Sequence, residues 1–229
     1  DELAASSGIN LDRFFTDWVA TPGFPHFSVD SFSVLPQLDN NFLVTIYLKQ
    51  KQKGNSHIYQ MPLRFTFRNV AGNDTTVTLV TEGLLDTLQT QIHFMPEMLT
   101  IDRDEKMSDA IADYEKWLNT TGNVTFKETY VDVNVQNAGS DSSLVRVEHH
   151  FVAPDNFMNP PDGIVLSDYH YWSVDGIFAN NYLAKATFRY DGSTSSSTGF
   201  LDNNLIEGVE DSLILFYRTN AHEDWHRAT

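Results

Sequence analysis

Phe42-Leu43-Val44-Thr45-Ile46-Tyr47-Leu48 and Leu63-Arg64-Phe65-Thr66-Phe67-Arg68 are the stretches that decide the fold class. The first is dense in β-branched and aromatic residues, which suit a pleated surface. In the second, Leu63, Phe65 and Phe67 alternate with Arg64, Thr66 and Arg68, the period-two pattern of a half-buried strand. Gly54-Asn55 turns the chain between them, and Gly72-Asn73-Asp74 turns it again into a Thr/Val run over 75–81. Residues 89–94 read as a further strand. Short strands at this spacing predict a β-sandwich over 23–101.

On the N-terminal side, Leu11, Phe14, Phe15 and Trp18 keep the i, i+3, i+4, i+7 spacing of a helical face, with Asn10 as N-cap. Thr21-Pro22-Gly23-Phe24-Pro25 ends that helix. On the C-terminal side, Met107, Ile111, Tyr114 and Leu118 recur at helical spacing among charges, so a helical linker is expected over 102–122, closed by Asn119-Thr120-Thr121-Gly122-Asn123. Strands at 130–135, 144–151, 184–190 and 213–218 predict a second sandwich over 123–229. Asp191-Gly192 and the Ser/Thr run after it read as a flexible loop. The expected fold is therefore mostly β: two tandem immunoglobulin/fibronectin III-like sandwiches, a short helix at 1–22 and a helical linker. No internal repeat is visible in the sequence.

The net charge of −16 over 229 residues opposes binding to a phosphate backbone, so nucleic acid is not an expected partner. A solvated acidic surface accounts for it. No apolar run approaches the length needed to span a bilayer, and no signal peptide is recognisable. The opening Asp1-Glu2-Leu3, without an initiator Met, reads as a piece of a longer protein. The absence of cysteine leaves the compartment open. An acidic, Thr/Asn/Ser-rich, Lys-poor composition leans towards an extracellular or periplasmic protein.

His222-Glu223-Asp224-Trp225-His226 satisfies H-E-x-x-H, which on a helix places two imidazoles on one face to bind zinc, with the Glu as general base. Here it closely follows a strand-like run, and Asp and Trp are mediocre helix formers. An extended conformation, with Trp225 turned inward, is expected instead, so His222, Glu223 and His226 are not assigned as metal ligands. In Glu148-His149-His150 the two His point to opposite faces of a strand and cannot share one metal; one is expected inside and the other in solvent. Asp102-Arg103-Asp104-Glu105 lacks calcium-loop spacing and reads as a solvated helix start. Asn73, Asn119 and Asn123 open N-x-T sequons. Tyr169, Tyr171, Trp172, Phe178 and Tyr182 lie close together; exposed, they would stack on a sugar or a protein partner, and otherwise they fill a core. No catalytic residue is assigned.

Phe14-Phe15-Thr16-Asp17-Trp18 followed by Pro22-Gly23-Phe24-Pro25, then Phe27-Ser28-Val29 and Met61-Pro62-Leu63, resembles the join between the helical catalytic domain and the small β-sandwich of the gluzincin zinc aminopeptidases. The run Arg146-Val147-Glu148-His149-His150-Phe151-Val152-Ala153-Pro154-Asp155, with Tyr169-His170-Tyr171-Trp172-Ser173-Val174-Asp175-Gly176, resembles the extra C-terminal region of their large secreted bacterial members. Asp211-Ser212-Leu213-Ile214-Leu215-Phe216-Tyr217-Arg218 before Asp224-Trp225 fits a closing hairpin there. The resemblance implies a non-catalytic accessory region that supports the catalytic domain of its own parent chain or a partner. It implies zinc in the parent enzyme, and zinc-activated water attacking an N-terminal peptide bond. The family's G-x-M-E-N motif is absent, and H-E-x-x-H lies after the sandwiches instead of before them, without a later Glu. The alternatives are a stand-alone carbohydrate- or protein-binding sandwich and a self-contained zinc protease using His222, Glu223 and His226.

Overall fold

The computed structural model describes residues 2–8, 10–54, 56–190, 202, 205–206 and 213–228, which fold mainly as antiparallel sheets with no closed barrel among them. The chain divides into two compact units, Asp1–Ala110 and Ile111–Thr229.

The first unit opens with α1 (Glu2–Ser7) and α2 (Asp12–Phe15), the latter running into a π-helical turn at Thr16–Ala20. Asn10 Oδ1 accepts the Asp12 N–H at 2.8 Å, so the expected cap acts through its side chain while Leu11 holds the N-cap backbone position. The anchor of this segment is polar. Asp17 is 2% exposed and accepts hydrogen bonds from Arg13 Nε at 3.0 Å and the Gln60 N–H at 3.2 Å, with His57 Nε2 at 2.6 Å. Of the predicted apolar face, Trp18 packs on Tyr59 at 5.7 Å, while Phe14 and Phe15 stay 51% and 36% exposed.

Six strands follow: β1 (Phe24–Pro36), β2 (Phe42–Lys53), β3 (Met61–Arg68), β4 (Asp74–Thr81), β5 (Leu85–Ile92) and β6 (Met98–Ile101). They form two sheets, ordered β1-β2-β5 and β4-β3-β6. Phe27, Val44, Ile46 and Leu48 from the first sheet and Leu63, Phe65 and Phe67 from the second share one buried cluster, a sandwich-like core. The β1–β2 turn places Asp39 and Asn40 at φ 59° and 56°, a left-handed pair that Asp and Asn tolerate well. The polar half of the Leu63–Arg68 alternation is not solvated throughout: Thr66 and Arg68 are 3% and 6% exposed. Thr66 Oγ1 meets Thr76 Oγ1 at 2.9 Å and Arg68 Nη2 donates to Thr100 Oγ1 at 3.3 Å.

The second unit contains β7 (Ile111–Leu118), β8 (Gly122–Phe126), β9 (Val131–Asn137), β10 (Ser143–His150), β11 (Tyr171–Ile177) and β12 (Leu183–Phe188), with a terminal hairpin of β13 (Phe216–Tyr217) and β14 (His226–Arg227). The helical linker expected over 102–122 does not form: residues 111–118 are a strand paired along its whole length with β10. Tyr114 and Leu118 are four residues apart, a spacing that puts two residues on one face of a strand as well as of a helix. What decides between the two is the neighbour: Asp113 and Glu115 lie across from Glu148 and Arg146 of β10, a cross-strand arrangement that a helix would forfeit. Phe126, Val131, Val133, Val135, Val145 and Val147 form the core of this unit. The flexible loop expected after Asp191 lies outside the described residues. No helix among the described residues is long and apolar enough to cross a membrane.

The two units share a strand layout that no sequence repeat announces. In the first, the sheets are β1-β2-β5 and β4-β3-β6; in the second, β8-β9-β12 and β11-β10-β7, again antiparallel throughout. Strand β7 holds the place beside β10 that β6 holds beside β3, but it enters from before the other five strands instead of after them.

Close backbone approach fixes one residue of β11. A Cβ on Gly176 would sit 2.1 Å from the Leu144 carbonyl oxygen and 3.0 Å from Phe178 Cζ. Gly176→Ala must therefore spread β10 from β11, and the expected loss is about 1–3 kcal/mol, the usual cost of overpacking, read from the urea unfolding midpoint.

Candidate functional site

Strand β10 carries three buried ionisable side chains, Arg146, His149 and His150, and its neighbours explain why. It is the middle strand of its sheet, between β7 and β11. Alternation sends Val145, Val147 and His149 to the core side and Arg146, Glu148 and His150 to the other. Both sides are covered: Arg146 is 3% exposed, and His149 and His150 are each 1% exposed. The expectation that one of the two histidines would lie in solvent is thus corrected. They do point to opposite faces, but each is roofed by its cross-strand partner on β11. His149 stacks on Trp172 at 4.8 Å and 11°, and His150 on Tyr171 at 4.3 Å and 8°.

On the outer side, Arg146 lies within a girdle of carboxylates. Its Nη2 donates to Asp113 Oδ2 at 2.5 Å and its Nε to Glu148 Oε1 at 2.9 Å, while Nη1 is 3.6 Å from Glu115 Oε2. Burial works against the charge of Arg146, but Glu148, Asp113 and Glu115 outweigh it and raise its pKa above the ordinary value. Burial likewise favours a neutral Glu148. The hydrogen bond and charge of His150, with the charge of Arg146, overcome this and hold the carboxyl at about 2.

His150 Nε2 also lies 2.9 Å from Ser173 Oγ and 3.4 Å from Glu148 Oε2. A serine hydroxyl against an imidazole is the first half of a nucleophile–base pair. The second half is wrong here: the carboxylate reaches the same ring nitrogen as the serine and does not orient the ring from Nδ1, as an acid must in a triad. This arrangement ties β10 to β11.

On the core side, Asp202 Oδ1 lies 2.8 Å from His170 Nε2, and His170 Nδ1 lies 2.7 Å from His149 Nε2. All three side chains are buried. A carboxylate only accepts, so His170 donates from Nε2; with both rings neutral it accepts at Nδ1, and His149 donates from Nε2. His149 Nδ1 is left a bare lone pair, and it has no hydrogen-bond partner.

The remaining candidates are placed as follows. His222 and Glu223 sit in the β13–β14 turn and His226 in β14, so H-E-x-x-H is not helical. Glu223 accepts from Thr219 Oγ1 at 2.5 Å. Asp224 accepts from the N–H groups of Met158 and Asn159 at 3.0 and 2.9 Å, and Trp225 Nε1 donates to the Asp155 carbonyl at 2.8 Å beneath the Arg218 guanidinium. The pentapeptide thus clamps the hairpin to the 155–159 loop. Asp102 lies not at a helix start but in a turn, where its Oδ2 accepts the Met107 N–H at 2.7 Å; Asp104 pairs with Arg64 at 2.5 Å. Among the aromatics, Trp172 and Tyr182 pack on the core cluster, Tyr171 covers His150, Tyr169 is half-buried, and Phe178 is 49% exposed against Tyr182. Among the described residues, no group of three His, Cys, Asp or Glu side chains is arranged to hold a metal ion. Arg146, Asp113, Glu115, His170 and Asp202 were not singled out by sequence. An Arg flanked by two valines in a strand was the available signal for the first; nothing local marks the last.

No protein-family model matches the chain, and neither the curated proteins nor the solved structures contain a match.

Arg146→Met would leave Asp113, Glu115 and Glu148 facing one another without their cation. The expected loss at neutral pH is about 3–5 kcal/mol in urea unfolding, as for other broken buried ion pairs. Glu148 is depressed from 4.5 to about 2, so its contribution is present above pH 4.5 and fades as pH falls towards 2. The gap between wild type and variant should narrow over that window.

Proposed function

We propose that the chain is a non-catalytic accessory region of a zinc-dependent, aminopeptidase-like metallopeptidase, exported to the medium or periplasm. Its two units are tandem β-sandwiches of immunoglobulin/fibronectin III type. The sheet pairing supports the second statement: the first unit places its first, second and fifth strands in one sheet and its third, fourth and sixth in the other, the layout of such sandwiches, and the second unit repeats it with β7 in the sixth strand's place.

The observation that carries the first is the segment ahead of β1. Phe14, Phe15 and Val19 are 51%, 36% and 67% exposed on a short helical segment whose backbone is pinned from the other side by buried Asp17. An apolar face on a segment anchored in this way suits a covering neighbour better than water, and a catalytic domain of the parent chain is the neighbour this reading supplies. Zinc and the peptide substrate would then belong to that domain. The stand-alone binding module has weaker support, because Trp172 and Tyr182 are taken up by packing.

The natural gene product tests the proposal, through its mass, its zinc content and its hydrolysis of aminoacyl fluorogenic substrates. A longer polypeptide holding one zinc, with activity unchanged in His222→Ala and His226→Ala, is expected. A product of this length that hydrolyses nothing, or zinc lost with His222→Ala, overturns it.

A further inference from the structure

We propose that the Asp202–His170–His149 chain is an acid-sensitive lock on the second unit, able to hold one extra proton but not two. The argument begins with the 2.7 Å separation of His149 Nε2 and His170 Nδ1. In the neutral chain a single proton lies between these nitrogens. One added proton turns His170 into a double donor, to Asp202 and to His149, and moves the His149 proton to Nδ1. A second would make both rings imidazolium, with N–H facing N–H across a hydrogen-bond distance, which closes the chain to it.

The surroundings offer no relief. The rings of Trp172 and Phe151 lie 4.8 and 4.3 Å from His149, and Tyr130 stands edge-on at 5.8 Å. Ala112 is its cross-strand neighbour on β7. Among the described residues, the titratable groups that face it are Tyr130, His170 and, beyond His170, Asp202; His150 follows it on the strand. Burial first, then the charges of His170 and His150, depress His149 to about 3, with Asp202 opposing.

In the unfolded chain both histidines accept protons near their ordinary value. The unfolded state therefore binds more protons between the ordinary histidine value of 6.5 and about 3, and folding weakens as pH falls through that window. With one histidine held unprotonated, the unfolding constant at pH 4.5 should rise about a hundredfold over its neutral value on this account alone.

Urea unfolding of the purified chain between pH 7.5 and 4.5, for wild type and His149→Phe, is the test. Phenylalanine keeps the stack on Trp172 and removes the titrating nitrogen. The wild-type unfolding constant should climb more steeply than the variant's, by about that hundredfold. In parallel, the His149 ring-nitrogen NMR signals should keep one protonated and one bare nitrogen as native protein is taken down to pH 4.5. Equal slopes for the two proteins, or a native His149 ring with both nitrogens protonated above pH 4.5, would overturn the lock. If His149→Phe does not fold, the wild-type NMR titration decides alone.

Discussion

The second unit depends on charges being buried in mutually compensating sets along β10. An isolated guanidinium taken out of water costs several kcal/mol, and a buried ion pair recovers this only with good geometry and further hydrogen bonds. Arg146 meets that condition through carboxylates on two strands: Asp113 and Glu115 from β7, Glu148 from β10 itself. The pairing is therefore also a register device. A one-residue slip of β7 would turn Asp113 and Glu115 to the opposite face and leave Arg146 buried with Glu148 alone. Apolar residues alone would permit more than one register; the ionic set permits one.

The same constraint explains what could and could not be read from the sequence. The strands of the first unit are legible because Leu63, Phe65 and Phe67 are apolar on one face of a strand with alternating neighbours. Strand β7 is not, because its composition, Ile-Ala-Asp-Tyr-Glu-Lys-Trp-Leu, combines good helix formers with a spacing common to both periods. Its strand state is decided by Arg146, which lies far along the chain. The His149–His170–Asp202 chain is harder still. His149 stands out as half of a histidine pair, but Asp202 reaches it across 32 positions from His170, a partnership that only the folded chain creates.

H-E-x-x-H is the opposite case, a local pattern whose chemistry depends on a conformation the surroundings deny. Its residues are engaged: Asp224 caps the 158–159 backbone, Trp225 reaches the Asp155 carbonyl, and Glu223 holds Thr219. Winding 222–226 into a helix would break these contacts together with the β14 pairing. In this chain the pattern belongs to a hairpin clamp.

The layout of the two units bears on how such a chain arises. If β7 is set aside, β8 to β12 reproduce the neighbour relations of β1 to β5, and each set leaves one vacancy beside its third strand. In the first unit the following strand, β6, fills it; in the second the preceding strand, β7, does. The vacancy is physically the same, an exposed edge on β3 or β10 that would otherwise present unpaired N–H and C=O groups. An edge of that kind is indifferent to whether the covering strand comes earlier or later in sequence, provided its register is specified. In the second unit Arg146 and its carboxylates supply that specification. The ionic girdle is thus what allows a strand from outside the five-strand set to complete the sheet.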